Sequence, residues 1–341
     1  MAERLLEVSD LSTHFFTHAG VVKAVNGVSF TLDRGETLGI VGESGSGKTV
    51  AALSVLRLIP DPPGKIVAGQ ILLKGTDLAT LSNDEMRRVR GNDIAMIFQD
   101  PMTSLNPVFR VGTQIAETIM LHQGLSKREA WQMAAELLDK VGMPDAPARV
   151  RQYPFEFSGG MRQRTMIAMA ISCNPDILIA DEPTTALDVT IQAQIMDVIR
   201  EMQSQYRSGV ILITHDLGVV AQMADKVMVM YGGRTVEFGP VDQVYYEAHQ
   251  PYTWGLLGSL PRLDATEKER LTPIKGQPPN LLLLPEGCPF AGRCPYERGE
   301  CRAAFPEVEM LGDGHGVHCW IPRAEREELR AQLLRFKGRV A

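Results

Sequence analysis

Four short apolar runs punctuate the first two-thirds of the chain: Thr37-Leu38-Gly39-Ile40-Val41, Asp93-Ile94-Ala95-Met96-Ile97-Phe98, Ile177-Leu178-Ile179-Ala180 and Val210-Ile211-Leu212-Ile213-Thr214. None alternates apolar with polar positions. A strand with one wet face would alternate, so these runs predict strands buried on both faces of a parallel sheet. Between Pro107 and Pro154 the pattern changes to helical spacing, as over residues 127–141. A helical insertion, about 105–160, is therefore predicted inside an α/β core. Past Arg262 the chain turns rich in Pro and charge. A boundary is placed near residue 255, between a domain of residues 1–255 and an extension of residues 256–341. Residues 323–340 are charged with recurring Leu and Phe, and predict a terminal amphipathic helix. There is no internal repeat.

Composition narrows the class. The chain has 341 residues, which at roughly 100–200 residues per domain suggests two domains. Lys+Arg 35 against Asp+Glu 41 gives a net charge of -6, which disfavours a chain that lives on bare nucleic acid. No run of about 18 apolar residues occurs, and the N-terminus has no signal-peptide core, so a cytoplasmic protein that does not itself span a membrane is expected.

The chemistry begins after the first strand. Gly42-Glu43-Ser44-Gly45-Ser46-Gly47-Lys48-Thr49 matches the phosphate-binding loop pattern in full and opens a helix predicted over residues 50–58. Gly42, Gly45 and Gly47, with Ser44 and Ser46 between them, let successive backbone N–H groups wrap phosphate oxygens. The helix N-terminus adds positive potential. Lys48 reaches the β- and γ-phosphates, and the Thr49 hydroxyl ligates Mg²⁺. The run 177–180 ends in Asp181 and Glu182. Asp181 can hold Mg²⁺ through its water shell, and Glu182 can polarise an attacking water. Alone, this pair would read as a solvated acidic turn before Pro183; a phosphate loop upstream changes that.

Phe157-Ser158-Gly159-Gly160-Met161-Arg162-Gln163 resembles the signature motif of ATP-binding-cassette (ABC) ATPases. The resemblance extends to Gln99 as the Q-loop glutamine, Ala186-Leu187-Asp188 as the D-loop and His215 as the switch histidine. Phe15, rather than Phe16, resembles the aromatic that stacks on adenine. Met161 and Phe157 depart from the residues most often found there; the Ser-Gly-Gly core is intact. The resemblance implies a P-loop NTPase cassette: a RecA-like parallel core, an N-terminal antiparallel β part and the helical insertion. It also implies roles: Glu182 as general base, His215 as the group that orients it, and Gln99 as a sensor of γ-phosphate and Mg²⁺. Ser158, Gly159 and Gly160 would complete the nucleotide site of an opposite subunit, with Asp188 nearby. The segment after Gln99, through Pro107, would dock on a membrane partner.

Four of the five cysteines crowd the end of the chain as C-x₅-C-x₆-C-x₁₇-C: Cys288, Cys294, Cys301 and Cys319. Four thiolates form a soft-ligand set for zinc or an iron–sulfur cluster. The missing C-x₂₋₄-C pair tilts the choice away from zinc. His315 and His318 lie near Cys319 and can substitute as ligands. Four reduced cysteines in a small core are the plain alternative. Cys173, in the helix after the signature, reads as a buried small hydrophobe. The tail resembles the C-terminal extension of oligopeptide and dipeptide ABC importer ATPases, closest to their D-type subunits, where some members hold a [4Fe–4S] cluster.

That resemblance implies an ATP- and Mg²⁺-dependent ATPase that powers peptide uptake through two separate permease subunits. A second ATPase subunit, in a heterodimer, and an extracytoplasmic peptide-binding protein would complete the assembly, at the cytoplasmic face of the cell membrane. Nickel or glutathione is an alternative cargo. An ABC-type ATPase acting on DNA or ribosomes is the alternative class. It is disfavoured by the acidic balance and by the lack of a second cassette or a long coiled-coil insertion.

Overall fold

The computed structural model describes residues 3–184, 189–259 and 274–336. Its strands are β1 (Arg4–Thr17), β2 (Gly20–Asp33), β3 (Thr37–Val41), β4 (Gly64–Leu73), β5 (Thr76–Asp77) and β6 (Ile94–Ile97), followed by β7 (Ile177–Asp181), β8 (Gly209–Ile213), β9 (Lys226–Tyr231), β10 (Arg234–Pro240), β11 (Glu309–Gly312) and β12 (His315–Val317). The four apolar runs of the sequence correspond to β3, β6, β7 and β8, and every residue of these strands is buried, while Phe98 at the end of the second run lies beyond β6 and is exposed. Apolar side chains on both faces leave a strand no wet side, which is why these runs do not alternate. The N-terminal strands form a four-stranded sheet in the order β2-β1-β4-β5.

The chain divides into two compact units. One comprises residues 1–7, 31–37 and 71–214. In it β6, β7 and β8 run parallel, with Ala95 opposite Leu178 and Ala180 opposite Leu212. The insertion is helical, with Val111–Gln123 and Lys127–Lys140 packed together ahead of the helix Gly159–Ile171. Ser126 starts the second of these with a capping box to Glu129, which satisfies amide groups the first turn leaves open. Asp176, just before β7, pairs with Arg34 at 3.0 Å and also with Lys74.

The other unit comprises residues 8–30, 38–70 and 215–341. Its strands lie in the order β11-β12-β10-β9-β3. β3 and β9 are parallel, while β10 is antiparallel to both β9 and β12. One apolar cluster holds Val41 at the end of β3, Val229 and Tyr231 of β9, Tyr252, and also Cys288, Phe290 and Cys301. The described part of the extension thus packs Cys288 and Cys301, with Cys294 against them, into the same core that supports β3. The boundary expected near residue 255 falls within the helix Pro251–Gly258, and residues 260–273 lie outside the described residues.

Three local details differ from the sequence reading. The first helix spans Lys48–Val55 rather than residues 50–58, because Gly47 caps it from a left-handed conformation. Cys173 lies past the end of the helix Gly159–Ile171, beyond its cap Ser172, and is half-buried rather than enclosed. The terminal helix is Arg323–Phe336, and the remainder of the predicted stretch falls outside the described residues.

Candidate nucleotide site and cysteine segment

The phosphate loop leaves the buried end of β3 at Val41. Its backbone is pinned at several points. The Glu43 N–H donates to the Tyr252 hydroxyl at 2.7 Å, and the Ser46 carbonyl accepts from the Gly233 N–H at 3.0 Å. Gly47 has φ +100, and a Cβ there would meet the Ala24 carbonyl oxygen at 2.3 Å. Only glycine fits that turn, and the turn is what points Lys48 and Thr49 into the first turn of the helix. The Lys48 ammonium is buried and donates to the carbonyls of Gly42 at 2.7 Å and Glu43 at 3.0 Å, with Ser46 Oγ at 3.5 Å. Ser44 and Gly45 are exposed at the loop's tip, and Thr49 is half-buried. In the same unit Phe15 is half-buried against Gly64, whereas Phe16 is 52% exposed. His215 is exposed, one residue before Asp216, whose carboxylate caps the helix Leu217–Met223.

The acidic residues belong to the other unit. Asp181 is the last residue of β7, opposite Ile213 in parallel register, and is 1% exposed. Glu182 follows in a left-handed conformation, φ +47, with its N–H on the Ile213 carbonyl at 2.8 Å. A non-glycine residue held there carries backbone strain of about 1–3 kcal/mol, a pattern that clusters at functional sites. Gln99 leaves the end of β6 two residues after Ile97. Its Nε2 donates to Glu182 Oε2 at 3.1 Å. Neighbouring parallel strands thus deliver both side chains to the same carboxyl edge, where ligands of such sheets sit.

Ser158 caps the helix Gly159–Ile171, its Oγ accepting the Met161 N–H at 3.3 Å. Ser158 and Gly159 are exposed. An open cavity of about 810 Å³ lies beside them, lined by Ser158, Gly160, Met161, Arg164, Lys140 and Gln194. Gln163, buried in the next turn, donates to the Pro183 carbonyl at 2.6 Å. That bond ties the signature helix to the turn after Glu182, and no motif spacing pointed to it. Asp188, with the rest of the D-loop, lies outside the described residues.

The four late cysteines are all free thiols. Cys288 and Cys301 are buried, and Cys294 and Cys319 half-buried. The Cys288 N–H donates to the Cys301 carbonyl at 2.7 Å. Burial, aided by the neighbouring thiols, pushes Cys288 and Cys294 up to about 12. Burial likewise raises Cys319. Among the described residues, no three His, Cys, Asp or Glu side chains are gathered as a metal site. The two histidines are engaged elsewhere: His315 Nε2 with Glu237 at 2.9 Å, and His318 Nδ1 with the Pro306 carbonyl at 2.9 Å.

Arg293, beside Cys294 in the motif that opens the cysteine segment, has no role assigned to it by the sequence. Its Nη1 meets Glu43 Oε2 at 2.5 Å and its Nη2 meets Oε1 at 3.1 Å. Burial lowers the guanidinium's pKa, but Glu43 and Tyr231 outweigh it and the net shift is upward. Nothing in the sequence links two residues so far apart.

Residues 25–185 match the family described as ABC transporter, and residues 236–301 match the oligopeptide/dipeptide transporter C-terminal region. The dipeptide transport ATP-binding protein DppD of Bacillus subtilis is 53% identical over 96% of this chain and 98% of its own length. The chain belongs to the ABC transporter ATP-binding proteins. Within that family, the oligopeptide transport ATP-binding protein OppD of Salmonella typhimurium is 52% identical over 95% of the chain and 96% of its own length. Among solved structures, a dimeric ATP-binding cassette bound to ADP and phosphate matches with TM-score 0.63. It is 23% identical over 70% of this chain and 99% of that one. This ABC ATPase therefore has the cassette fold. Among its described residues no helix is long and apolar enough to cross a membrane.

Proposed function

We propose that the chain is the ATP-binding and ATP-hydrolysing subunit of an ABC importer that powers uptake of oligopeptides or dipeptides. The observation that carries this reading is the near full-length similarity, at 53% identity, to a dipeptide transport ATP-binding protein, together with an intact phosphate loop. The energy-coupling subunit would work at the cytoplasmic face of the cell membrane. It would act with two permease subunits, a second ATPase subunit and an extracytoplasmic binding protein. No nucleic acid is involved.

The proposed roles follow the chemistry of each group. Amides of residues 42–49 cradle the phosphates, with Ser44 and Gly45 at the tip and Ser46 buried behind them. Lys48 gives up its bonds to the loop carbonyls for the β- and γ-phosphates. Thr49, Asp181 and Gln99 serve Mg²⁺, the first directly and Asp181 through water. Phe15 stacks on the adenine. Glu182 takes a proton from the attacking water, and His215 keeps water and γ-phosphate in line. The Gln99 amide on Glu182 makes release of that carboxylate part of reaching the active state. Ser158, Gly159 and Gly160, at an exposed helix start, face the γ-phosphate held by the second subunit, and Asp188 contributes to the same junction.

Cys288, Cys294, Cys301 and Cys319 are proposed to hold an iron–sulfur cluster of the [4Fe–4S] type, with Zn²⁺ as the alternative occupant. Four free thiols within one short segment form the soft-ligand set that such a cluster takes. Binding must expel thiol protons, since thiols raised toward 12 are neutral at physiological pH. The cluster would brace the segment.

Glu182→Gln tests the catalytic assignment. The variant should bind ATP as the wild type does and hydrolyse it roughly 100-fold more slowly or worse. Single-turnover hydrolysis and nucleotide binding measured side by side check this; undiminished turnover removes Glu182 from its role.

A further inference from the structure

The phosphate loop carries a carboxylate of its own. Glu43 sits between Gly42 and Ser44, and an unneutralised negative charge there would repel a triphosphate. The structure shows what cancels it. Arg293 grips both Glu43 oxygens in a forked pair, at 2.5 and 3.1 Å. Such pairs fix geometry as well as charge. The guanidinium is itself held firmly. Nη1 donates to the Tyr231 hydroxyl at 3.0 Å, Nε to the Lys275 carbonyl at 3.0 Å, and Nη2 to the Ile274 carbonyl at 3.2 Å and the Gly276 carbonyl at 3.3 Å. It lies 5.7 Å from the Tyr231 ring centroid, and its side chain is only 9% exposed. On the other side, the Glu43 backbone bonds to Tyr252, and its carbonyl accepts from Lys48 Nζ. One residue of the cysteine segment thus reaches the lysine through a single intervening residue.

We propose that Arg293 is a positioning residue for ATP: it neutralises Glu43 and fixes the first turn of the phosphate loop. This rests on the ATPase reading above. Arg293 touches neither nucleotide nor metal; it acts through Glu43, and so couples the state of the cysteine segment to the affinity of the phosphate loop. Loss of the Arg293 charge leaves a half-buried carboxylate at the loop, which weakens ATP binding without touching the chemical step.

The test is a charge cycle in the full-length chain, with Mg²⁺-ATP binding and steady-state hydrolysis measured on each variant. Arg293→Gln should raise the ATP Kd and KM roughly tenfold, with kcat within about twofold of wild type. Glu43→Gln added to Arg293→Gln should restore the Kd to within about threefold of wild type, because the uncompensated charge is gone. A purely structural Arg293 would not be rescued by removing its partner's charge. Arg293→Lys, which keeps the charge and loses the fork, should fall between and serves where Arg293→Gln does not fold. An unchanged Kd in folded Arg293→Gln, or a double variant no better than the single, overturns the proposal. Lys48→Ala separates the two readings: silence at Arg293 beside loss of binding in Lys48→Ala leaves the ATPase reading standing. Absence of ATP binding by the wild-type chain removes both.

Discussion

The phosphate loop and the cysteine segment share one core and are built in opposite ways. The loop is contiguous. Its eight residues do their work mostly with backbone groups, to which the side chains of Glu43, Lys48 and Thr49 are added. The cysteine segment is dispersed. Its thiols come from positions 288 to 319, and each is placed by side-chain burial rather than by a repeating backbone shape. A contiguous backbone device is strict about every position. A dispersed side-chain device tolerates its spacers and depends on its few anchors.

The largest effect should appear where the loop's one indispensable side chain is cut. Lys48→Ala is expected to lower ATP affinity about 100-fold or more, since it removes the only cation the loop aims at the phosphates. Isothermal titration with Mg²⁺-ATP measures it, and the metal and thiol content of the same sample should not change. Loss of both together would mean that the two regions are one cooperative site.

A paired glycine substitution comes next. Gly47→Ala should destabilise the fold by about 3 kcal/mol, because its new Cβ would collide with the Ala24 carbonyl at 2.3 Å and its φ is +100. Gly45 has φ +77, but nothing lies within 4 Å of a Cβ added there. Gly45→Ala should therefore cost about 1 kcal/mol, from backbone strain alone. Urea titration of the two variants distinguishes collision from strain; equal losses would show that crowding does not set the loop's strictness.

This contrast also explains what the sequence revealed. The four buried runs were visible because burial on both faces writes an uninterrupted apolar string, as in Ile177–Asp181. Lys48 and Thr49 were visible because the glycine spacing fixes them locally. The contacts of Arg293 and Gln163 were not, because their partners, Glu43 and the Pro183 carbonyl, are set by tertiary packing. The end of the helix Gly159–Ile171 was misjudged near Cys173 for a similar reason. Helical periodicity marks which face is apolar far better than where the last turn stops. The cysteines were visible as a group, while the core that Cys288 and Cys301 share with Val41 and Tyr231 was not.

The third comparison tests the dispersed region. Cys294→Ser changes no residue of the phosphate loop and removes one proposed ligand. Anaerobically purified wild type should carry about four iron and four sulfide per chain, and the variant less than about half of that. Stoichiometric zinc without sulfide would replace the cluster with the alternative metal. Metal-free wild type with four titratable thiols would leave the cysteines as core residues only.

The smallest effect lies where the regions meet. The Tyr252 hydroxyl accepts the Glu43 N–H at 2.7 Å, and its ring packs at 4.5 Å from Tyr231 and 5.3 Å from Phe290, centroid to centroid. Tyr252→Phe keeps the ring contacts and removes only the acceptor. The Glu43 N–H is then left without its partner, a loss of about 1 kcal/mol in stability. Arg293 still holds the Glu43 side chain, so ATP affinity should fall by less than about threefold. A thermal melt and an ATP titration on the same variant check both numbers. A Kd shift as large as that of Arg293→Gln would place the control of the loop in the Tyr252 hydroxyl rather than in the charge pair, because the ring and the salt bridge are both retained.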